Sequence, residues 1–357
     1  MSHDLYVNSD TYKEIIRQQS SWNIALKSLE KEKDNYKKIV EKFRDRVWIF
    51  SGCGTSYYLA QVASNLFKLI AGVRTRVIPA SEILIFPNLV FSKSEDYLFI
   101  PLSRSGKTTE IVRAAHKAKV DFGIPTLAIS CNYDSALSKE CDMKLKFSFK
   151  QEQSVVMTGS FTTMLTSIVY LASLLNGKKN VLDKLHELSD LSNRIMTENE
   201  DFLREVILNN DYSNFVFLGQ GPFYGIANEA ALKMQEMSIS FSQSFHSLEY
   251  RHGPMSTASD KTLITILLCQ GSKTFGIPLV KDIKELGAGI LLIGEDGDGQ
   301  IGKNADFQID TPKGFGDIFN SFIYMPLLQL LAFYKAISKK IDPDNPKNLT
   351  AVVTLEI

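Results

Sequence analysis

A short apolar run that ends in a glycine- and serine-rich turn and passes straight into helical periodicity recurs along this chain. That pattern restricts the fold to alternating strands and helices built around parallel sheets. Val47-Trp48-Ile49-Phe50 runs into Ser51-Gly52-Cys53-Gly54-Thr55-Ser56 and a helical pattern to about Leu69. Tyr97-Leu98-Phe99-Ile100-Pro101-Leu102 runs into Ser103-Arg104-Ser105-Gly106-Lys107-Thr108-Thr109 and a helix through Ile111, Val112, Ala115 and Ala118. A third strand is predicted over residues 126–129, followed by Ser130-Cys131-Asn132. The pattern then restarts at residues 214–218, which lead into Gly219-Gln220-Gly221 and a helix, with further strands over 262–268 and 289–293. Two α/β halves of similar build point to an internal duplication. The expected organisation is a helical segment over 1–43 read as two helices, a first half with its connector over 44–200, a second half over 201–338 and a tail over 339–357. Residues 157–175 read as a buried helix, 176–201 as a helical connector and 315–337 as a last helix.

A chain of 357 residues can bury a large core. Its 40 Lys and Arg balance 40 Asp and Glu, so no global field favours nucleic acid or an anionic membrane as partner. The start, MSHDLYVNSDTYKE, lacks the basic-then-apolar form of a signal peptide, and no apolar run is read as long enough to span a bilayer. A soluble, cytoplasmic protein is the expectation. Cys53, Cys131, Cys141 and Cys269 are scattered without metal-ligand spacing, which argues for reduced thiols and against a zinc site or a disulfide framework.

Candidate chemistry concentrates in residues 225–254, GIANEAALKMQEMSISFSQSFHSLEYRHGP. Glu229, Lys233 and Glu236 fall at helical spacing, and a polar loop then leads to a turn at His252-Gly253-Pro254. A surface i,i+4 ion pair would explain Glu229 and Lys233 as well as catalysis would. Glu236 is a suitable proton carrier if burial raises its pKa. His252, in a Gly-Pro turn, is easily presented at a surface or interface, while His3, His116, His186 and His246 have no partner that spacing names. Ser103, Ser105, Thr108 and Thr109 surround Gly106 just ahead of a helix, an arrangement that suits an anion at the helix N-terminus and equally suits plain capping. Neither a Walker A loop nor a GxGxxG fingerprint is present.

The motifs GCGTSYYLA (52–60), SRSGKTTEIVRAA (103–115), EAALKMQE (229–236), EYRHGPMS (249–256) and NPKNLTAVVTLE (345–356) together resemble the sugar isomerase (SIS) superfamily. Within it they are similar to the isomerase half of glucosamine-6-phosphate synthase and to the related ketose/aldose isomerases and deaminases. No N-terminal cysteine nucleophile or glutaminase domain is expected. The resemblance implies an α/β fold of two tandem flavodoxin-like subdomains, each a parallel sheet flanked by helices, with the tail closing over the active site. It assigns Ser103, Arg104, Ser105 and Thr108 to the sugar phosphate. Cys53, Gly54, Thr55, Ser56, Val155 and Thr350 join the substrate-binding set. Glu236 becomes the base that shuttles a proton between C1 and C2, Lys233 a lysine near the sugar oxygens and Glu229 the carboxylate that holds it. His252 assists ring opening, contributed in trans within a homodimer.

Two departures shape the reaction that this resemblance implies. Where the synthase carries a Schiff-base lysine near its C-terminus, this chain has Ala351, so covalent capture of the ketose is not expected. Residues 152–162, the SRSG turn and Arg251 of the RHGP turn resemble the isomerases and deaminases instead. The expected function is proton transfer between C1 and C2 of a hexose or hexosamine 6-phosphate, with release of ammonia from glucosamine 6-phosphate to give fructose 6-phosphate. No metal or organic cofactor is expected, because the adjacent carbonyl or iminium already acidifies the C2 proton. A synthase-like isomerase without its glutaminase and a non-catalytic sugar-phosphate sensor are the other readings.

Overall fold

Each recurring apolar run forms a strand of a parallel sheet. The computed structural model describes residues 6–175, 179–296 and 299–355, so His3 and Glu356 of the tail motif lie outside the described residues. The first sheet comprises β1 (Val47–Ser51), β2 (Thr75–Val77), β3 (Tyr97–Ser103), β4 (Leu127–Ser130) and β5 (Met143–Leu145), in the order β2-β1-β3-β4-β5. The second comprises β6 (Asn214–Gly219), β7 (Phe241–His246), β8 (Thr262–Leu267), β9 (Gly289–Gly294) and β10 (Phe307–Asp310), in the order β10-β9-β8-β6-β7. Read from the opposite edge, the second order repeats the first, and every pairing in both is parallel. This is the flavodoxin-like arrangement, built twice.

The chain divides into two compact units. The first holds the described residues of Arg17–Glu152, Met157–Ser189 and Thr350–Ile357, and the second those of Met1–Ile16, Gln153–Val156 and Asp190–Leu349. In the first unit, helix Thr55–Ala71 packs on helix Gly159–Leu175, all of whose residues are buried. In the second, helix Pro222–Ser238 packs on helix Gly316–Ser338 in the same manner. The N-terminal stretch forms helices Asp10–Glu30 and Lys33–Lys42, and the connector forms helix Lys179–Leu208.

The strands that the apolar runs reveal are the interior ones, β1, β3, β4, β6, β8 and β9. The stretch read as a polar loop before His252 contains β7, and β2, β5 and β10 also carry no clear apolar run. All four lie at sheet edges. An edge strand is covered on fewer sides, so its residues are mostly half-buried, whereas β1, β3, β4, β8 and β9 are buried at every position.

One expectation is corrected. Helix Gly316–Ser338 is long and apolar enough to cross a membrane by length and composition. Asn320, Ser321 and Gln329 interrupt its apolar run, which hid this in the sequence. Most of the helix is buried in the protein, with Phe322, Leu327, Leu328 and Leu331 fully covered, as the core helix of a globular unit would be.

The turns after β1 and β6 share one geometry. A β-carbon at Gly52 would stand 2.5 Å from the carbonyl of Ser56, and one at Gly219 would stand 2.2 Å from that of Phe223. Two residues on, Gly54 (φ 53°, ψ −127°) and Gly221 (φ 56°, ψ −126°) adopt a conformation that side chains rarely tolerate. Gly52→Ala and Gly219→Ala are each expected to destabilise by about 1–3 kcal/mol, because backbone rather than a movable side chain must yield. Gly54→Ala should cost a similar amount, about 1–3 kcal/mol, from backbone strain alone. Urea unfolding of the three variants checks both.

Candidate functional site

The turns after β1 and β3 open at the carboxyl ends of neighbouring strands, where the order of the first sheet reverses, which is the usual ligand position in such sheets. Thr55 and Ser56 begin helix Thr55–Ala71 and are both buried. Burial, with the Glu110 carboxylate adding to it, pushes the Cys53 thiol up to about 12. Cys53 is therefore a neutral thiol at physiological pH and not an activated nucleophile. In the second turn the Ser103 hydroxyl accepts the Gly106 N–H at 2.9 Å and the Ser105 hydroxyl accepts the Lys107 N–H at 3.1 Å. Both serines thus shape the loop, and Gly106 (φ +63°) lies so close to Ser135 that a β-carbon there would overlap its hydroxyl. Thr108 precedes helix Thr109–His116 without capping it through its side chain.

Arg104 lies beside Glu152, with Nη1 3.4 Å from Oε2. Glu152 in turn accepts hydrogen bonds from the N–H and hydroxyl groups of both Thr158 and Ser160, at the start of helix Gly159–Leu175. No spacing signal marked Glu152, which precedes that helix by a loop. The tail reaches the same region: the Thr109 N–H donates to the Val353 carbonyl at 3.4 Å, and the Leu355 N–H donates to the Thr109 hydroxyl at 2.9 Å. Thr350 is exposed. Val155 is half-buried in the 153–156 segment that belongs with the second unit, next to Ser154, whose N–H donates to Glu14 Oε1 at 3.3 Å.

The second unit carries the charged set. Glu229 and Lys233 are 0% exposed, and the Glu236 side chain is 17% exposed. Lys233 Nζ lies 3.3 Å from Glu229 Oε1 and is hydrogen-bonded to Glu236 Oε2. A surface ion pair is therefore ruled out by burial. The helix is covered because it lies between its sheet and helix Gly316–Ser338. Burial disfavours the Lys233 charge, but Glu229 and Glu236 outweigh it and raise the pKa above the ordinary lysine value.

His252 is exposed, in the turn held by its own N–H on the Glu249 carbonyl at 3.0 Å and by an ion pair between Arg251 and Asp282. The other described histidines find partners that spacing did not name. His116 meets Glu140 and His186 meets Glu30. His246 stacks on Tyr224 at 3.7 Å between ring centroids and meets Gln220 Oε1 at 3.0 Å. Burial lowers the His246 pKa, so its ring is neutral at pH 7. Among the described residues no three His, Cys, Asp or Glu side chains gather as a metal site would require.

The model of the SIS domain matches this chain twice, over residues 45–174 and 210–338. The chain belongs to the SIS family. Each SIS match covers one of the two sheets. A glutamine–fructose-6-phosphate aminotransferase (isomerizing) of Legionella pneumophila is 32% identical over 311 residues, 85% of this chain and 50% of that protein. The SIS chain thus spans about half the length of the curated relatives it matches. Among solved structures, the glucosamine-6-phosphate deaminase of Thermotoga maritima is 31% identical with a TM-score of 0.79, covering 97% of this chain and 100% of that one. The C-terminal domain of glucosamine-fructose-6-phosphate aminotransferase from Francisella tularensis is 25% identical with a TM-score of 0.83, covering 97% and 100%.

Replacing Lys233 by Met leaves the buried Glu229 and the half-buried Glu236 without their shared cation and is expected to destabilise this SIS protein by about 3–5 kcal/mol in urea unfolding. Because the folded pKa of Lys233 is raised, its contribution is complete below the unfolded value of about 10.4 and is lost as pH rises through the higher folded value. That alkaline increment should be missing in the variant. Iodoacetamide at pH 7.5, followed by peptide mapping, should alkylate Cys53 on the order of 100-fold more slowly than free cysteine.

Proposed function

We propose that the protein is a sugar-phosphate isomerase and deaminase that converts glucosamine 6-phosphate to fructose 6-phosphate and ammonia. The observation that carries this reading is the buried Glu229–Lys233–Glu236 set. Burying Lys233 and Glu229 without solvent, beside a Glu236 that is only 17% exposed, costs more than a binding-only pocket needs. A proton shuttle has use for them. The SIS relatives named for reactions of fructose 6-phosphate and glucosamine 6-phosphate support the substrate class.

In the proposed reaction, Ser103, Ser105 and Thr108 receive the phosphate with Arg104, and His252, contributed by a partner subunit, assists ring opening to the C1 aldehyde. Glu236 takes the C2 proton, and the electrons of that bond form a C1–C2 double bond while the C1 oxygen is protonated. Return of the proton to C1, with the nitrogen lone pair closing on C2, gives an iminium at C2, which water hydrolyses to the ketone with release of ammonia and a proton. Lys233, fixed as a cation by its two carboxylates, stabilises the negative charge that develops on the sugar oxygens. Glu229 holds the lysine. Ala351 offers no amine for a Schiff base, so hydrolysis of the substrate's own imine is the favoured course.

Purified protein given glucosamine 6-phosphate should release equal amounts of ammonia and fructose 6-phosphate. Glu236→Gln should lower kcat by about 10²–10⁴-fold with substrate binding retained. Full activity of that variant would sink the shuttle assignment. Net synthesis from fructose 6-phosphate and ammonia, with no deamination, would favour the synthase-like reading, and tight binding without turnover the sensor.

A further inference from the structure

Glu152 joins the turn after β3 to the start of helix Gly159–Leu175, and its side chain is only 5% exposed. Its Oε1 accepts the Thr158 N–H at 3.2 Å, the Thr158 hydroxyl at 3.1 Å and the Ser160 N–H at 2.6 Å. Its Oε2 accepts the Ser160 hydroxyl at 2.5 Å and faces Arg104 Nη1 at 3.4 Å. Four donors from the helix end therefore satisfy this buried anion, and the positive end of the helix favours it as well. The guanidinium supplies the longest of the five contacts. The carboxylate therefore does not depend on Arg104 for its partners.

The arginine is held at its other end too. Its carbonyl accepts the Ser130 hydroxyl at 3.4 Å, and the Ser130 hydroxyl accepts the Asn132 N–H at 3.1 Å. A guanidinium is a rigid fork on a long flexible stem, and fixing it before a ligand arrives removes much of the ordering cost of binding. A carboxylate beside an anion site would ordinarily repel a phosphate. Here its charge is already balanced by helix-end donors.

We propose that Glu152 is a positioning residue of the sugar-phosphate site, acting through Arg104, which it holds beside the 103–108 turn ready for the phosphate of the substrate. This rests on the functional reading above. A residue that only capped its helix would affect stability and binding equally whether or not Arg104 were present.

The test is a double-variant cycle. Glucosamine 6-phosphate is titrated calorimetrically into the wild-type protein, Glu152→Gln, Arg104→Gln and the double variant, with kcat and thermal melts measured alongside. Glu152→Gln should weaken binding about tenfold with kcat at saturation changed less than about twofold, and in the Arg104→Gln background the same change should cost less than about twofold. Equal losses in both backgrounds, or no loss in Glu152→Gln, would overturn the inference while leaving the proposed function standing. A folded wild-type protein that binds no hexose 6-phosphate would overturn both. Should Glu152→Gln not fold, Glu152→Asp keeps the charge at the helix end while shortening its reach to Arg104. It should show the same dependence on Arg104, and its absence would likewise overturn the proposal.

Discussion

At Gly52 and Gly219 the backbone leaves a strand and passes so close to the first turn of the following helix that no β-carbon fits between them. That steric exclusion sets the angle at which helices Thr55–Ala71 and Pro222–Ser238 leave their sheets. The second glycine of each turn, at positive φ, completes the reversal. What the two halves then do with the same turn differs. In the first, the helix opens with the hydroxyls of Thr55 and Ser56, the residue types that suit an anion at a helix N-terminus. In the second, Pro222 takes the first helical position, where its missing N–H costs nothing, and the charged side chains Glu229, Lys233 and Glu236 stand further along the helix.

Those side chains illustrate how burial changes the meaning of a pattern. Glu, Lys and Glu at helical spacing on a wet surface contribute a few tenths of a kcal/mol and carry no chemistry. With Glu229 and Lys233 cut off from solvent, the lysine between two carboxylates keeps its charge against the pull of desolvation. The lysine is thereby fixed beside Glu236, which alone of the three keeps contact with solvent. The Arg104–Glu152 contact also sets a cation against a carboxylate in the first unit, and there helix-end donors hold the carboxylate.

Much of the architecture could be read from residues alone. Interior strands such as β1 and β3 are apolar at nearly every position because both faces of a parallel sheet are covered, and each ends in a glycine turn that announces itself. The edge strands were illegible for the complementary reason. Phe241–His246 sets three consecutive polar residues between Phe241 and Phe245, mostly at half-buried positions, and its sequence resembles a loop until β6 is seen to pair with it residue by residue. Helix Gly316–Ser338 misled in the other direction, since a few buried polar residues broke up an apolar run that packing treats as continuous.

The amino-acid sequence by itself determined the repeated strand–turn–helix plan and the family, because glycine turns and apolar runs are local signals and the SIS motifs are ordered along the chain. It also placed Glu229, Lys233 and Glu236 on one helical stripe. Only the tertiary structure decided that this stripe is buried, that Ser103 and Ser105 brace their own turn, and that Arg104 rests on Glu152. The reason is physical: spacing fixes which side chains share a face, but solvent exposure and partners from distant segments are set by what packs against that face.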